Sequence, residues 1–170
     1  MSDFGWYGLG GGAVRPGRPT LNAILPELLV GEYPNPHDLA WLAAEHGVTA
    51  LLSLQDDADL ASKRLRLRDV EAACGAAGIA FERVPVPDGD PDFLAARLPD
   101  AVARLHARLA GGARVYLHCN AGLNRAPTVA IAYVHVHRGL PLDEATAFVK
   151  ERRVAVPYLR ALDACYRSAG

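Results

Sequence analysis

The chain of 170 residues has the length of one ordinary domain, long enough to bury a core and too short for two domains and a linker. Hydrophobic residues make up 51% of the chain and charged residues 22%, which excludes a disordered, collagenous or coiled-coil protein. The formal net charge of -1 provides no overall positive field for nucleic acid, and no stretch reaches the roughly 18 apolar residues of a spanning helix. We therefore expect no nucleic-acid partner and no stable membrane insertion.

The first 20 residues are rich in glycine and proline, which predicts an irregular arm ahead of one folded domain over residues 21–170. In that domain, the sequence predicts strands over residues 28–30, 48–54, 79–86 and 115–118. It predicts helices over residues 39–46, 58–77, 93–109, 126–137, 142–152 and 158–166. Strands separated by helices predict a single-domain α/β fold with a central, mostly parallel sheet flanked by helices. The chemistry of such a fold is expected where strands end and helices begin.

The chain contains three cysteines, Cys74, Cys119 and Cys165, an odd number in a domain large enough to fold without disulfides. This usage predicts reduced thiols and a cytoplasmic protein. Residues 1–12 contain no basic run followed by an apolar core, so we expect no secretion signal. We also expect the protein to act as a monomer.

The segment HCNAGLNRAP, residues 118–127, joins the last predicted strand to the helix that follows it. The five residues between Cys119 and Arg125 can wrap so that consecutive N–H groups point at one tetrahedral anion, while the helix contributes its positive end. Gly122 provides the backbone freedom for this wrap, and the guanidinium of Arg125 can hold two phosphoryl oxygens. We therefore predict a phosphate-binding loop. Its binding residues are Asn120, Ala121, Gly122, Leu123, Asn124 and Arg125.

Cys119 is the predicted nucleophile of this loop, because amide donors, an arginine and a helix N-terminus all favour a thiolate. Attack on phosphorus forms a cysteinyl-phosphate and expels an oxyanion that needs a proton. His118 precedes the loop on a strand, so its side chain should point away from the ligand, and we assign it a supporting role. Thiolate, arginine and amides supply the electrostatics, so we expect neither a metal ion nor a cofactor.

The proton donor is predicted in the loop Pro87-Asp88-Gly89-Asp90-Pro91-Asp92, which follows a strand on the same rim. Asp88 comes first after the strand and is our choice as general acid. Asp90 could assist or replace it, and Asp92 is the expected cap of the next helix. The alternative interpretation of all three carboxylates is a solvated turn with a helix cap.

The loop with its strand and helix resembles the His-Cys-x5-Arg signature of the cysteine-dependent protein tyrosine phosphatase superfamily, in particular its dual-specificity branch. An acid loop about thirty residues before the cysteine agrees with the order of motifs in that family. The resemblance covers residues 24–166. It implies the dual-specificity phosphatase fold and a phosphorylated protein, glucan or lipid headgroup as substrate.

Within that branch the loop is most similar to the glucan phosphatases, laforin and the plant starch phosphatases. Asn124 departs from their glycine, and Ala126 replaces the Ser or Thr of most family members. Gly89 and Val156 stand where an aromatic residue is expected for sugar stacking, which weakens the glucan assignment.

One alternative function is a phosphate-binding module without catalysis, as arises when a family member loses the nucleophile or the acid. A second open question concerns the basic run of Lys63, Arg64, Arg66 and Arg68. It either attracts a polyanionic substrate or forms a solvated helix face paired with nearby aspartates. Those aspartates are Asp56, Asp57, Asp59 and Asp69.

Overall fold

Five strands form one sheet at the centre of the computed structural model, which describes residues 17–167. The strands are β1 (Leu21–Leu25), β2 (Leu28–Gly31), β3 (Ala50–Ser53), β4 (Ala80–Arg83) and β5 (Val115–His118). Their order across the sheet is β1-β2-β5-β3-β4, and every pair is parallel except β1 with β2. The single-domain α/β fold with a mostly parallel sheet is confirmed. The arm predicted over residues 1–20 lies largely outside the described residues.

Seven α-helices in the described part of the chain flank this sheet. They are α1 (Leu39–His46), α2 (Asp57–Ser62), α3 (Leu67–Ala76), α4 (Pro91–Ala110), α5 (Arg125–Arg138), α6 (Leu142–Arg152) and α7 (Leu159–Tyr166). Because strand side chains alternate between faces, Val115 and Leu117 pack with α4 to α7 on one face, and Tyr116 packs with α1 and α3 on the other. None of these helices combines the length and the apolar composition needed to cross a bilayer.

The single helix predicted over residues 58–77 is wrong, because the chain forms two helices there. α2 ends at Ser62, and Arg64 adopts a left-handed backbone with φ of 54°. The chain turns at this residue before α3 begins at Leu67. The break lets α2 and α3 take separate positions, and the active site depends on where α2 then lies.

Strand β1 was not predicted from the sequence, and the other boundaries move by a few residues. β1 is an edge strand with three of its five residues at least partly exposed and an irregular register between Ala23 and Leu25, so it lacks a clear alternating pattern. Helix α4 begins at Pro91, earlier than predicted, because Asp90 caps it.

Candidate active site

The predicted phosphate loop lies at the carboxyl end of β5, the central strand, and ends where α5 begins at Arg125. Both chemically important side chains of the loop are buried, with Cys119 2% exposed and Arg125 1% exposed. A tight turn joins them at Gly122, whose φ of 69° is in the left-handed region. A Cβ on Gly122 would lie 2.5 Å from the carbonyl oxygen of Gly31, so only glycine fits.

Four consecutive carbonyl groups of the loop accept hydrogen bonds from outside it. The carbonyl of Asn120 accepts from the Tyr33 amide at 2.9 Å, and that of Leu123 from the Val156 amide at 2.8 Å. Between them, Arg153 donates to the carbonyls of Ala121 at 3.0 Å and Gly122 at 2.7 Å. Since the C=O and N–H of a planar peptide point in opposite directions, the amides of residues 121–124 face away from these partners. None of these four amides donates a hydrogen bond within residues 17–167, so all four are available to an anion.

Arg153 was missed by the sequence analysis. It is 6% exposed, and its Nη1 also donates to Asn22 of β1 at 3.0 Å. The side chain therefore joins the edge strand to the back of the phosphate loop and places a buried positive charge behind it. The partners lie 31 residues or more from Arg153 in the sequence, and no local pattern connects them.

The sequence analysis also missed the role of Asp59 in α2. Its carboxylate accepts from Arg125 Nη1 at 2.6 Å and from the Asn120 side chain at 2.8 Å. Arg125 Nη1 also donates to the Val86 carbonyl at 2.7 Å, just before the acid loop. The Asn120 side chain is fixed on its other side by Gln55 at 2.9 Å. Asp59 thus sets the position of the arginine and of the first residue after Cys119.

The electrostatics of this pair follow from its burial. Burial alone would raise the pKa of Asp59, but hydrogen bonding and the charge of Arg125 hold that pKa below its usual value. Burial alone would lower the pKa of Arg125, but the negative charges of Cys119, Asp59 and Asp88 raise it. Arg125 is therefore a fixed cation. Its Nε is buried and has no hydrogen-bond partner among residues 17–167, so a phosphoryl oxygen could accept from it.

The three carboxylates of the acid loop have separate positions. Asp88 has a side chain that is 59% exposed, and its Oδ1 lies 3.6 Å from Arg125 Nη2. Asp90 caps α4 by accepting from the Phe93 amide at 2.9 Å, so the cap role predicted for Asp92 was wrong. Asp92 instead pairs with Arg160 at 3.1 Å. Asp88 is the carboxylate of this loop that lies beside the arginine of the phosphate loop.

His118 is buried, and its Nδ1 lies 2.9 Å from the carbonyl oxygen of Cys119. Its side chain therefore contacts the start of the loop backbone.

Cys74 is a free thiol on the opposite face of the sheet from Cys119, so the fold does not join these two cysteines. In residues 17–167, no three His, Cys, Asp or Glu side chains are grouped so that they could hold a metal ion.

Three of the four aspartates near the basic run have side-chain partners outside that run. Asp59 contacts Arg125, Asp57 pairs with Arg83 at 2.8 Å, and Asp56 caps α2. The residues Lys63, Arg64, Arg66 and Arg68 lie in and around the break between α2 and α3. Lys63 Nζ lies 5.6 Å from the ring of Tyr33, the residue whose amide holds the phosphate loop, so the run begins close to the site.

Comparison with known proteins agrees with this geometry. The family model for the dual-specificity phosphatase catalytic domain matches residues 33–160, which is most of the chain. The chain belongs to the dual-specificity phosphatase family. The matched range contains the nucleophile loop, the acid loop and Asp59, whereas β1 and β2 precede it.

Two curated phosphatases are similar to this chain in sequence. The chain is 33% identical over 144 residues to the phosphoglucan phosphatase DSP4, amyloplastic, of Castanea sativa, covering 83% of this chain and 38% of that protein. It is 28% identical over 150 residues to laforin of Mus musculus, covering 78% of this chain and 44% of that protein. The chain thus spans less than half the length of either relative.

A solved structure shows the shared fold. The crystal structure of Tk-PTP in the active form superposes with a TM-score of 0.75 at 23% identity, covering 89% of this chain and 99% of that chain.

Proposed function

We propose that this dual-specificity phosphatase domain hydrolyses phosphomonoesters through a cysteinyl-phosphate on Cys119. The observation that carries the proposal is that the amides of residues 121–124 donate no hydrogen bond within residues 17–167 and belong to the same short loop as the buried Cys119 thiol and the Arg125 guanidinium. A phosphate dianion fits such a loop, because each oxygen can accept from an N–H donor whose position is already fixed.

In the first step, Cys119 Sγ attacks phosphorus and the bond from phosphorus to the ester oxygen breaks. The electron pair leaves with that oxygen, which takes a proton from the carboxyl group of Asp88. Arg125 and the loop amides hold the three remaining phosphoryl oxygens as charge shifts between them. In the second step, water attacks phosphorus and gives a proton to Asp88, and the bond from sulfur to phosphorus breaks to release phosphate and the thiolate.

The experiment that tests this function compares the wild-type protein with Cys119→Ser. We expect the wild-type protein to hydrolyse p-nitrophenyl phosphate in the presence of a chelator, and the variant to bind inorganic phosphate without turnover. Arg125→Lys should lose both binding and rate, because an ammonium group cannot make the two-pronged contact. Phosphate binding by the wild-type protein without any hydrolysis would instead support a non-catalytic module.

The role of Asp88 has its own test. Asp88→Asn should lower turnover of an alkyl phosphate by roughly 10²–10⁴-fold, and turnover of p-nitrophenyl phosphate by less, because nitrophenolate hardly needs a proton. Asp90→Asn is the control, and its expected effect is on the cap of α4. A larger leaving-group dependence in Asp90→Asn would make Asp90 the acid.

We propose a phosphorylated protein, a phosphoglucan or a phospholipid headgroup as the substrate. Val156 is 65% exposed next to the phosphate loop and offers an aliphatic surface where a sugar-binding site would use an aromatic ring. Turnover of phosphotyrosine peptide, phosphoinositide, phosphatidylglycerophosphate and phosphorylated glucan, compared side by side, would select among these classes. A monomer in a cytoplasmic compartment is our proposal for its setting, since a thiol nucleophile must stay reduced.

A further inference from the structure

Tyr158 connects the acid loop with the phosphate loop. Its hydroxyl oxygen accepts a hydrogen bond from the Gly89 amide at 2.9 Å, and Gly89 follows directly after Asp88. On its other side, the Tyr158 amide donates to Thr128 Oγ1 at 2.9 Å, and the Thr128 hydroxyl donates to the Asn124 carbonyl at 2.7 Å. Tyr158 therefore bonds directly to the acid loop, and it is linked to the phosphate loop through Thr128 of α5.

The acid loop needs such a contact in order to hold its carboxylate in one place. Before Asp88, the chain is fixed by the bond from Arg125 to the Val86 carbonyl, and after it by the Asp90 cap of α4. Gly89 lies between these two anchors with a φ of 74°. Asp88 itself is 59% exposed, and its contact with Arg125 at 3.6 Å is too long for a hydrogen bond. The bond from Gly89 to Tyr158 thus acts on the residue directly after the acid.

The phenol also keeps a proton to donate. Burial raises the pKa of Tyr158, and the charges of Asp88 and Cys119 add to this, against the lowering effects of the Gly89 bond and of Arg125. The phenol is therefore protonated at neutral pH. The neutral hydroxyl oxygen accepts the hydrogen bond from the Gly89 amide.

We propose that Tyr158 is a positioning residue, which latches the acid loop over the phosphate loop and so sets Asp88 against the leaving oxygen. This role rests on the proposed phosphatase function. It goes beyond the motif residues, because Tyr158 acts through the backbone of Gly89 and does not touch the reacting atoms. The latch should matter most when the leaving group needs a proton.

The kinetic test is Tyr158→Phe, which removes only the hydroxyl. We expect kcat for an alkyl phosphate to fall about 2- to 12-fold, the range of one net hydrogen bond, with a smaller fall for p-nitrophenyl phosphate and little change in KM. Tyr166→Phe is the matched control. Tyr158 directly precedes helix α7, and Tyr166 is the last residue of that helix, where its ring packs on His135. That control should retain wild-type kinetics.

A double variant separates a latch from a general loss of structure. In an Asp88→Asn background, Tyr158→Phe should cause no further loss on the alkyl phosphate, because the acid that it positions is already absent. An equal loss in both backgrounds, or an equal loss on both leaving groups, would overturn the proposal.

Amide hydrogen exchange of Gly89, followed by NMR, tests the latch without requiring turnover. Exchange should be faster in Tyr158→Phe than in the wild-type protein or in Tyr166→Phe. Unchanged exchange would overturn the latch even if the enzyme is active. Conversely, faster exchange in a protein that hydrolyses nothing would support the latch and refute the phosphatase function.

Discussion

Asp59→Asn tests how the phosphate loop holds its arginine. The substitution keeps the shape of the side chain and removes the charge that faces Arg125 Nη1 at 2.6 Å, in a pair whose side chains are 7% and 1% exposed. Removing one partner of a buried ion pair costs about 3–5 kcal/mol, because the other charge stays buried. Cys119 and Asp88 also act on Arg125, so we expect the lower end, about 3 kcal/mol. For a domain of this size that lowers Tm by about 6–12 °C.

The pH dependence of this loss has a definite sign. Arg125 holds the pKa of Asp59 below its unfolded value, so the folded state binds fewer protons than the unfolded state as the pH falls below about 4. The stabilisation is therefore fully present above that pH and disappears as the pH falls through the lower, folded pKa. The difference between wild-type and Asp59→Asn proteins should be constant near neutral pH and should shrink in acid.

The measurement is urea unfolding at pH 7 and at acidic pH, together with kcat/KM on p-nitrophenyl phosphate. Asp57→Asn is the matched control, two residues away on the same helix, because its side chain is 93% exposed and its pair with Arg83 should contribute at most about 1 kcal/mol. Free energies of unfolding for the two variants that agree within about 0.5 kcal/mol at pH 7 would refute the reasoning.

Three further outcomes follow from the loop. Gly122→Ala should destabilise the protein by about 2 kcal/mol or more and abolish phosphate binding, because a left-handed alanine is strained and its Cβ meets the Gly31 carbonyl. Denaturant unfolding measures the loss of stability, and phosphate titration measures the loss of binding. Arg153→Met should weaken inhibition by inorganic phosphate about tenfold or more, since two loop carbonyls lose a charged donor; an unchanged inhibition constant would contradict that role. Brief treatment with iodoacetate at pH 7 should label Cys119 and spare Cys74, because burial raises the pKa of Cys74 to about 12. Mass spectrometry of the peptides shows which cysteine carries the label.

The parts of this protein that the sequence predicts are those that depend on neighbouring residues. The phosphate loop is one continuous segment from Cys119 to Arg125 between a buried strand and a helix, so residue types and spacing are enough to identify it. The acid loop is equally local, since Asp88 lies in a short segment rich in proline, glycine and aspartate between β4 and α4. Periodicity likewise predicts the alternation of strands and helices, and with it the α/β fold.

Only the tertiary structure decides which distant side chains hold those segments in place. Asp59 lies 66 residues from Arg125, and in the sequence it stands beside a basic run, so its neighbours do not identify Arg125 as its partner. A left-handed residue after α2, which the pattern did not indicate, leaves α2 directed at the phosphate loop. Arg153 and Tyr158 reach their partners through the packing of α6 and α7 against the sheet and α5. Such contacts depend on how elements pack in three dimensions, and local periodicity does not encode the pairing of single polar side chains across the fold.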